Sequence, residues 1–370
     1  MRLLKNAHWL LPIFLSSFIL SLTYEPIQRS LIYLHYAKWP LPFLARFDQP
    51  EFYGFAPGKV KNFYLDTQDG ARIGAWLVLA EDAYERAMKK GRLSEEGQFE
   101  ESVFDAALRS PSTPTVLYFH GNAGSRAIGN RVRVAQKISA MNSNFLIIDY
   151  RGFGDSSSSP PPSEEGVLKD ARRAFDYLNL EKGVDSSQIV ISGQSLGTGI
   201  GTALSARLEA EGRKLKALVL VAPFSSISTL LETYKLGNVI PLVSPLKRFP
   251  WLFEKLLKLL RTRFDTKAVI SDVTCPILLV HAQDDPVIPY SHSKTLSDHL
   301  LRPLLLDEKS QEELVQEERI GRWGTIKRFE RGNGKGRVVW AEAKEGSHTF
   351  IGETDFVMRL IRDVIFDRRS

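Results

Sequence analysis

Residues 189–199, IVISGQSLGTG, constrain this chain more than any other stretch. An apolar strand runs into G-x-S-x-G and then into a helix start built of small residues. A serine nucleophile has to stand on a strained turn between strand and helix, with its Oγ clear of the backbone. Gly193 and Gly197 flank Ser195, where any Cβ would clash as strand and helix pack closely. The following helix aims its first N–H groups at the turn, so the Leu196 N–H is a candidate donor to a developing oxyanion. The plain alternative is a Gly/Ser loop that matches by chance. The strand before it and the helix after it argue against that.

The same strand–helix rhythm recurs along the chain. Residues 115–120 and 144–150 are short, near-continuous apolar runs, as are 189–194, 217–221, 277–281 and 338–343. Strands without polar alternation, separated by helical segments, indicate a mostly parallel sheet covered by helices on both faces, an α/β fold. Residues 60–65 and 72–79, around Asp69-Gly70, form a hairpin signal before it. The turn Gly121-Asn122-Ala123-Gly124 directly follows a core strand and supplies a second candidate oxyanion donor, the Asn122 N–H. The turn after residue 281 holds two acids, Asp284 and Asp285. Either one can orient a histidine and stabilise its imidazolium. Asp285 is preferred for its place directly before Pro-Val. His348 lies in a Gly-Ser loop between the last strand and the last helix. Taken alone it is an ordinary loop residue. Its order after Ser195 and Asp285 completes Ser…Asp…His, the triad order of α/β-hydrolases. His120, His281, His292 and His299 are expected to be structural or surface residues.

Around this frame lie less regular segments. Residues 7–24 carry no charged side chain and follow Arg2 and Lys5, a borderline length for a spanning helix. A poor small-x-small site at 21–23 favours an uncleaved anchor over a cleaved signal peptide. We therefore expect an N-terminal membrane anchor and juxtamembrane segment over 1–36 and a catalytic domain over 58–370. Two charged stretches, 81–113 and 302–336, are expected to be surface insertions. Residues 227–270 carry eight Lys/Arg against three Asp/Glu and apolar residues at helical spacing. They fit either a cap dipping into a membrane surface or an ordinary core-packed helix. The formal charge of +6, without an arginine-rich arm or an aromatic–basic motif, makes nucleic acid a poor partner. The single cysteine, Cys275, excludes an internal disulfide and sits where a small core residue belongs.

Residues 118–125 (YFHGNAGS), 149–156 (DYRGFGDS), 193–199 (GQSLGTG) and 275–289 (CPILLVHAQDDPVIP) together resemble the membrane-anchored abhydrolase-domain lipases, type 12. The likeness covers about residues 60–300 and, more thinly, the His348 region. It implies an α/β-hydrolase fold with a cap, an N-terminal membrane helix and a lumen-facing place in the endoplasmic reticulum. It also implies hydrolysis of monoacylglycerol or lysophosphatidylserine acyl esters. The family's nucleophile, acid and base fall on Ser195, Asp285 and His348. The usual histidine before the serine is replaced by Gln194, which is expected to face away from the reaction. The two insertions and the cap depart from the family pattern.

The chemistry expected is therefore acyl-enzyme hydrolysis of a lipid ester with no cofactor, no metal and no obligate protein partner. Acyl transfer and protein depalmitoylation pass through the same acyl-enzyme, and a non-catalytic membrane scaffold is the reading from another class.

Overall fold

The computed structural model describes residues 23–233, 235–236, 240–241, 250–305 and 311–367. Most of the expected membrane anchor (7–24) and part of the expected cap (227–270) lie outside them. Among the described residues, no helix is long and apolar enough to cross a membrane.

Among the described residues twelve strands form: β1 (Val60–Asp66), β2 (Arg72–Val78), β3 (Thr115–Phe119), β4 (Asn144–Ile148), β5 (Ile189–Gln194), β6 (Ala217–Val221), β7 (Lys235–Leu236), β8 (Ile240–Pro241), β9 (Ile277–Ala282), β10 (Gln316–Ile320), β11 (Gly324–Phe329) and β12 (Val338–Ala343). Ten of them make one sheet in the order β1-β2-β4-β3-β5-β6-β9-β12-β11-β10, and β7 and β8 pair apart. The six strands from β4 to β12 run parallel, and antiparallel pairs close both edges. Side chains along a strand alternate between two apolar cores. On β3, Leu117 and Phe119 enter one and Val116 and Tyr118 the other. Both faces are thus buried, as near-continuous apolar strands require.

The chain goes from β3 outward to β4, then returns to β5 on the other side of β3. This reversal opens a crevice at the carboxyl ends of β3 and β5, the usual ligand position in such sheets. The helix Leu196–Ala210 packs against this spot with a small-residue face. Ser163 caps the helix Glu164–Asp176, accepting from Gly166 N at 3.1 Å.

Three segments differ from expectation. The 81–113 stretch is no mere surface insertion. Its helices Glu81–Lys89 and Glu101–Leu108 bury Ala83, Ala87, Val103, Phe104, Ala107 and Leu108 in the main core. The charges between them masked a short apolar stripe of helical spacing. Within 302–336, β10 and β11 form a hairpin that extends the sheet past β12. Gln316 to Arg319 of β10 are all exposed, and such charge on an edge strand hides it from a charge-based reading. The juxtamembrane segment, expected to lie outside the 58–370 domain, packs on it. The helix Glu25–Tyr33 lies on the domain, with Gln28 and Tyr33 buried. Gln28 donates to Leu259 O at 3.1 Å and accepts from Arg261 N at 3.0 Å. The Trp76 indole N–H donates to Phe47 O at 2.8 Å.

Phe104 is 2% exposed. Phe104→Ala is expected to cost about 3–5 kcal/mol of unfolding free energy in denaturant titration. Glu96→Ala, on the exposed link between the two helices, should stay within about 0.5 kcal/mol of the parent.

Candidate active site

Ser195 stands where β5 meets its helix, with φ 53° and ψ −121°. A non-glycine residue held there stores roughly 1–3 kcal/mol of strain, and such strain persists only when its surroundings force it. The forcing contacts are visible. A Cβ on Gly193 would sit 2.3 Å from Gly197 O, and one on Gly197 would sit 1.9 Å from Phe119 O. Glycine at both positions lets helix and strands close around the serine.

β3 delivers the loop beside it. A side chain on Gly121 would come within 3.2 Å of Ser195 Cβ and 3.8 Å of its Oγ. Of the next amides, Ala123 N donates to Tyr33 O at 3.0 Å and Gly124 N to Ala37 O at 2.8 Å. Neither Asn122 N nor Leu196 N has a backbone partner among the described residues. These two N–H groups are the candidate oxyanion donors read from the sequence, and both lie at this crevice.

The turn after β9 separates the two acids. Asp285 Oδ2 lies 2.7 Å from His348 Nδ1 and 3.1 Å from His281 Nε2, and its Oδ1 accepts from Val287 N at 2.8 Å and Ile288 N at 2.9 Å. Burial pushes the carboxyl pKa up, but the hydrogen bonds from His281 and His348 outweigh it and hold it well below the usual carboxylate range. An ionised Asp285 only accepts, so His348 carries its proton on Nδ1 and keeps the Nε2 lone pair free. Asp284 does a different job: its Oδ1 accepts from Ser347 N at 2.8 Å and so fixes the loop of the histidine. No hydrogen bond joins Ser195 to His348 among the described residues, and such bonds commonly tighten only when substrate binds.

Two supporting residues escaped the sequence reading. Gln194 does not simply face away: its Oε1 accepts from Tyr118 OH at 3.0 Å, and its Nε2 donates to His348 O at 3.3 Å and Thr349 O at 3.4 Å. It ties the histidine loop to the residue next to Ser195. His281 is structural, as expected, but its particular task is to hold Asp285. Its place four residues before Asp285, at a strand end, was the available signal. His120 and His292 are buried structural residues. His292 Nδ1 accepts from Ser225 N at 3.2 Å, and His120 Nδ1 lies 2.6 Å from Gly121 O. Cys275 is a buried core residue whose thiol burial pushes well up.

A doubly wound sheet with a serine elbow, an acid after β9 and a histidine after β12 defines an α/β-hydrolase. Comparisons agree. A family model for the alpha/beta hydrolase fold matches residues 114–258. Lysophosphatidylserine lipase ABHD12 of Danio rerio is 31% identical over 297 residues, 80% of this chain and 72% of the relative. The Gallus gallus ABHD12 is 31% identical over 295 residues, again 80% and 72%. Protein ABHD12B of Homo sapiens is 30% identical over 274 residues, 73% and 69%. Among solved structures, an alpha-beta hydrolase from Vibrio vulnificus aligns with TM-score 0.57 at 16% identity, covering 92% of this chain and 91% of that one. The Pyrococcus furiosus esterase Pf2001 aligns with TM-score 0.53 at 12% identity, covering 86% and 95%. These structures share the fold. The chain belongs to the ABHD12 family of lipid ester hydrolases.

Burial first, and the charge of Arg131 next, push His120 down to about 4. Burial likewise pushes His292 down to about 4. Between that value and about 6.5 the unfolded chain binds more protons than the native one, so stability falls as the pH drops through this window. At pH 5 each histidine should cost on the order of 2 kcal/mol relative to pH 7. Urea titrations of the parent and of His292→Gln at both pH values test this. The variant should lose about 2 kcal/mol of the difference between the two pH values, and an unchanged slope would refute the assignment.

Proposed function

We propose that Ser195, His348 and Asp285 form the catalytic triad and that the Asn122 and Leu196 N–H groups form the oxyanion hole. The observation that carries this reading is the 2.7 Å contact between Asp285 Oδ2 and His348 Nδ1, which follow the carboxyl ends of their strands as the strained Ser195 follows that of β5. As Ser195 Oγ attacks an acyl carbonyl, its proton passes to His348 Nε2. The oxyanion is met by the two N–H groups, each worth about 3 kcal/mol in the transition state. His348 then protonates the leaving alcohol oxygen. Water, deprotonated by the same nitrogen, attacks the acyl-enzyme and releases the fatty acid and free Ser195.

The substrate proposed is a single-chain acyl-ester lipid, with lysophosphatidylserine foremost and monoacylglycerol next. The named activity of the ABHD12 relatives supports the first. We place the reaction at a membrane, with the uncharged run 7–24 as a single-pass anchor and the endoplasmic reticulum as its site. Nine of the seventeen exposed large apolar side chains among the described residues fall between Tyr24 and Phe52, directly after that run. Trp39, Phe43, Leu44 and Phe52 also line a groove of about 490 Å³. Exposed Trp251, with Lys255 over its ring at 5.5 Å, adds an aromatic–basic element of interfacial character. Phe350, two residues beyond His348, is 60% exposed and adds an apolar side chain near it in the chain.

Detergent-solubilised protein should release fatty acid from lysophosphatidylserine, and a fluorophosphonate probe should label it at Ser195. Ser195→Ala should abolish both. Asp285→Asn should lower kcat about 10⁴-fold. Asp284→Asn should stay within about tenfold, since it loses one loop hydrogen bond. Equal losses for the two aspartates would refute the acid assignment. Full turnover by Ser195→Ala would refute the triad.

A further inference from the structure

The loop that follows β3 is gripped on its carbonyl side by a buried cation that the reaction scheme above does not use. Arg131 lies on the helix Gly129–Ala140 and is 5% exposed. Its Nη1 donates to Ser125 O at 2.7 Å. Its Nη2 reaches Ala123 O at 2.9 Å, Gly121 O at 3.2 Å and Asn122 O at 3.4 Å. No carboxylate lies within ion-pair distance of it among the described residues. The nearby Asp149 is instead paired with Arg126 at 2.5 Å. A buried guanidinium without a counter-ion is costly, and arginine stays charged in proteins, so its five donors must be met by oriented dipoles. Here those dipoles are the carbonyls of one loop.

Peptide planarity turns this grip into a direction. In a trans peptide the C=O of one residue and the N–H of the next point to opposite sides. Three successive peptides therefore turn their oxygens (Gly121, Asn122, Ala123) toward Arg131 and their N–H groups (Asn122, Ala123, Gly124) away from it. Two of those N–H groups are taken by the N-terminal segment, through Tyr33 O and Ala37 O. The first, on Asn122, has no backbone partner and belongs to the peptide next to Ser195.

We propose that Arg131 is a positioning residue for the hydrolytic reaction: by fixing the Gly121–Asn122 peptide plane it aims the Asn122 N–H at the oxyanion. The proposal rests on Ser195 being the nucleophile. A buried positive charge on the oxygen side of the same peptides also polarises them, which strengthens the N–H as a donor where negative charge develops.

The test compares the full-length parent with Arg131→Met, which keeps bulk without donors, and Arg131→Lys, which keeps charge without the fork. Each is assayed with a p-nitrophenyl acyl ester and with an alkyl trifluoromethyl ketone, whose serine adduct carries an oxyanion. A purely structural role predicts a lower melting temperature with normal turnover by the folded protein. A positioning role predicts a drop in kcat of about 10²-fold for Arg131→Met, with KM within about threefold, since only transition-state stabilisation is lost. Ketone affinity should fall in parallel. Arg131→Lys should lie between, and it carries the test alone if Arg131→Met fails to fold. Unchanged kcat and ketone affinity in a folded variant would overturn the proposal. Fluorophosphonate labelling of the parent separates the two levels. A labelled parent with normal Arg131 variants refutes only the positioning role, and a parent unlabelled at Ser195 refutes the nucleophile and this role together.

Discussion

The tightest constraint in the structure is the approach of the elbow helix to β3. A Cβ on Gly197 would lie 1.9 Å from Phe119 O, closer than any van der Waals contact allows. Because that Cβ is absent, the helix start can sit directly over the ends of β3 and β5. This places Leu196 N beside the turn and leaves Ser195 with its positive φ. It also brings Gly121 against Ser195, so that two strands not adjacent in sequence share one crevice. The positions of the Gly121–Gly124 loop, of Asp285 and of His348 are set around a serine held there.

Around that contact, buried charge is used in two ways. Asp285 is surrounded by donors: two backbone N–H groups and two histidines. It therefore remains an acceptor and sets the tautomer of His348. Arg131 is the inverse, a cation surrounded by carbonyl oxygens, and through them it orders the amide side of the loop. In a low-dielectric interior both arrangements are rigid, because withdrawing any one partner leaves a desolvated polar group unmet.

The N-terminal segment joins these elements to an exposed apolar surface of the molecule. Its inner edge supplies Tyr33 O and Ala37 O to the loop after β3, and Trp39 O accepts from Ser125 Oγ at 2.9 Å. Its outer edge carries the exposed aromatic residues. One short stretch thus contacts the loop after β3 with its backbone and presents an apolar surface with its side chains. That division of labour follows from the end of the helix Glu25–Tyr33, where the carbonyls of Tyr33 and of Ala37 beyond it have no helical N–H to accept.

Much of the catalytic frame was legible in the chain itself. Glycines at 193 and 197 can be read as a demand for close packing. Uninterrupted apolar runs state that both faces of a strand are buried, and the order Ser195, Asp285, His348 states a chemistry. These are local signals, set by steric limits and by side-chain type. What local signals could not carry was partnership across distance. Whether Asp284 or Asp285 meets His348 depends on the direction each side chain takes out of one turn. The hold of Gln194 on the His348 loop spans |i−j| = 154. The helix Glu101–Leu108 shows its apolar stripe only once a core exists to receive it, and the hairpin of β10 and β11 becomes a sheet edge only because β12 is already there to pair with. The role of Arg131 emerges last of all, because nothing in its own neighbourhood of the sequence reveals that four carbonyls will turn toward it. Local steric and chemical rules determined which residues stand ready to react, and tertiary packing alone decided which groups face them, since a side chain acquires its partner only when distant backbone is brought within hydrogen-bond reach.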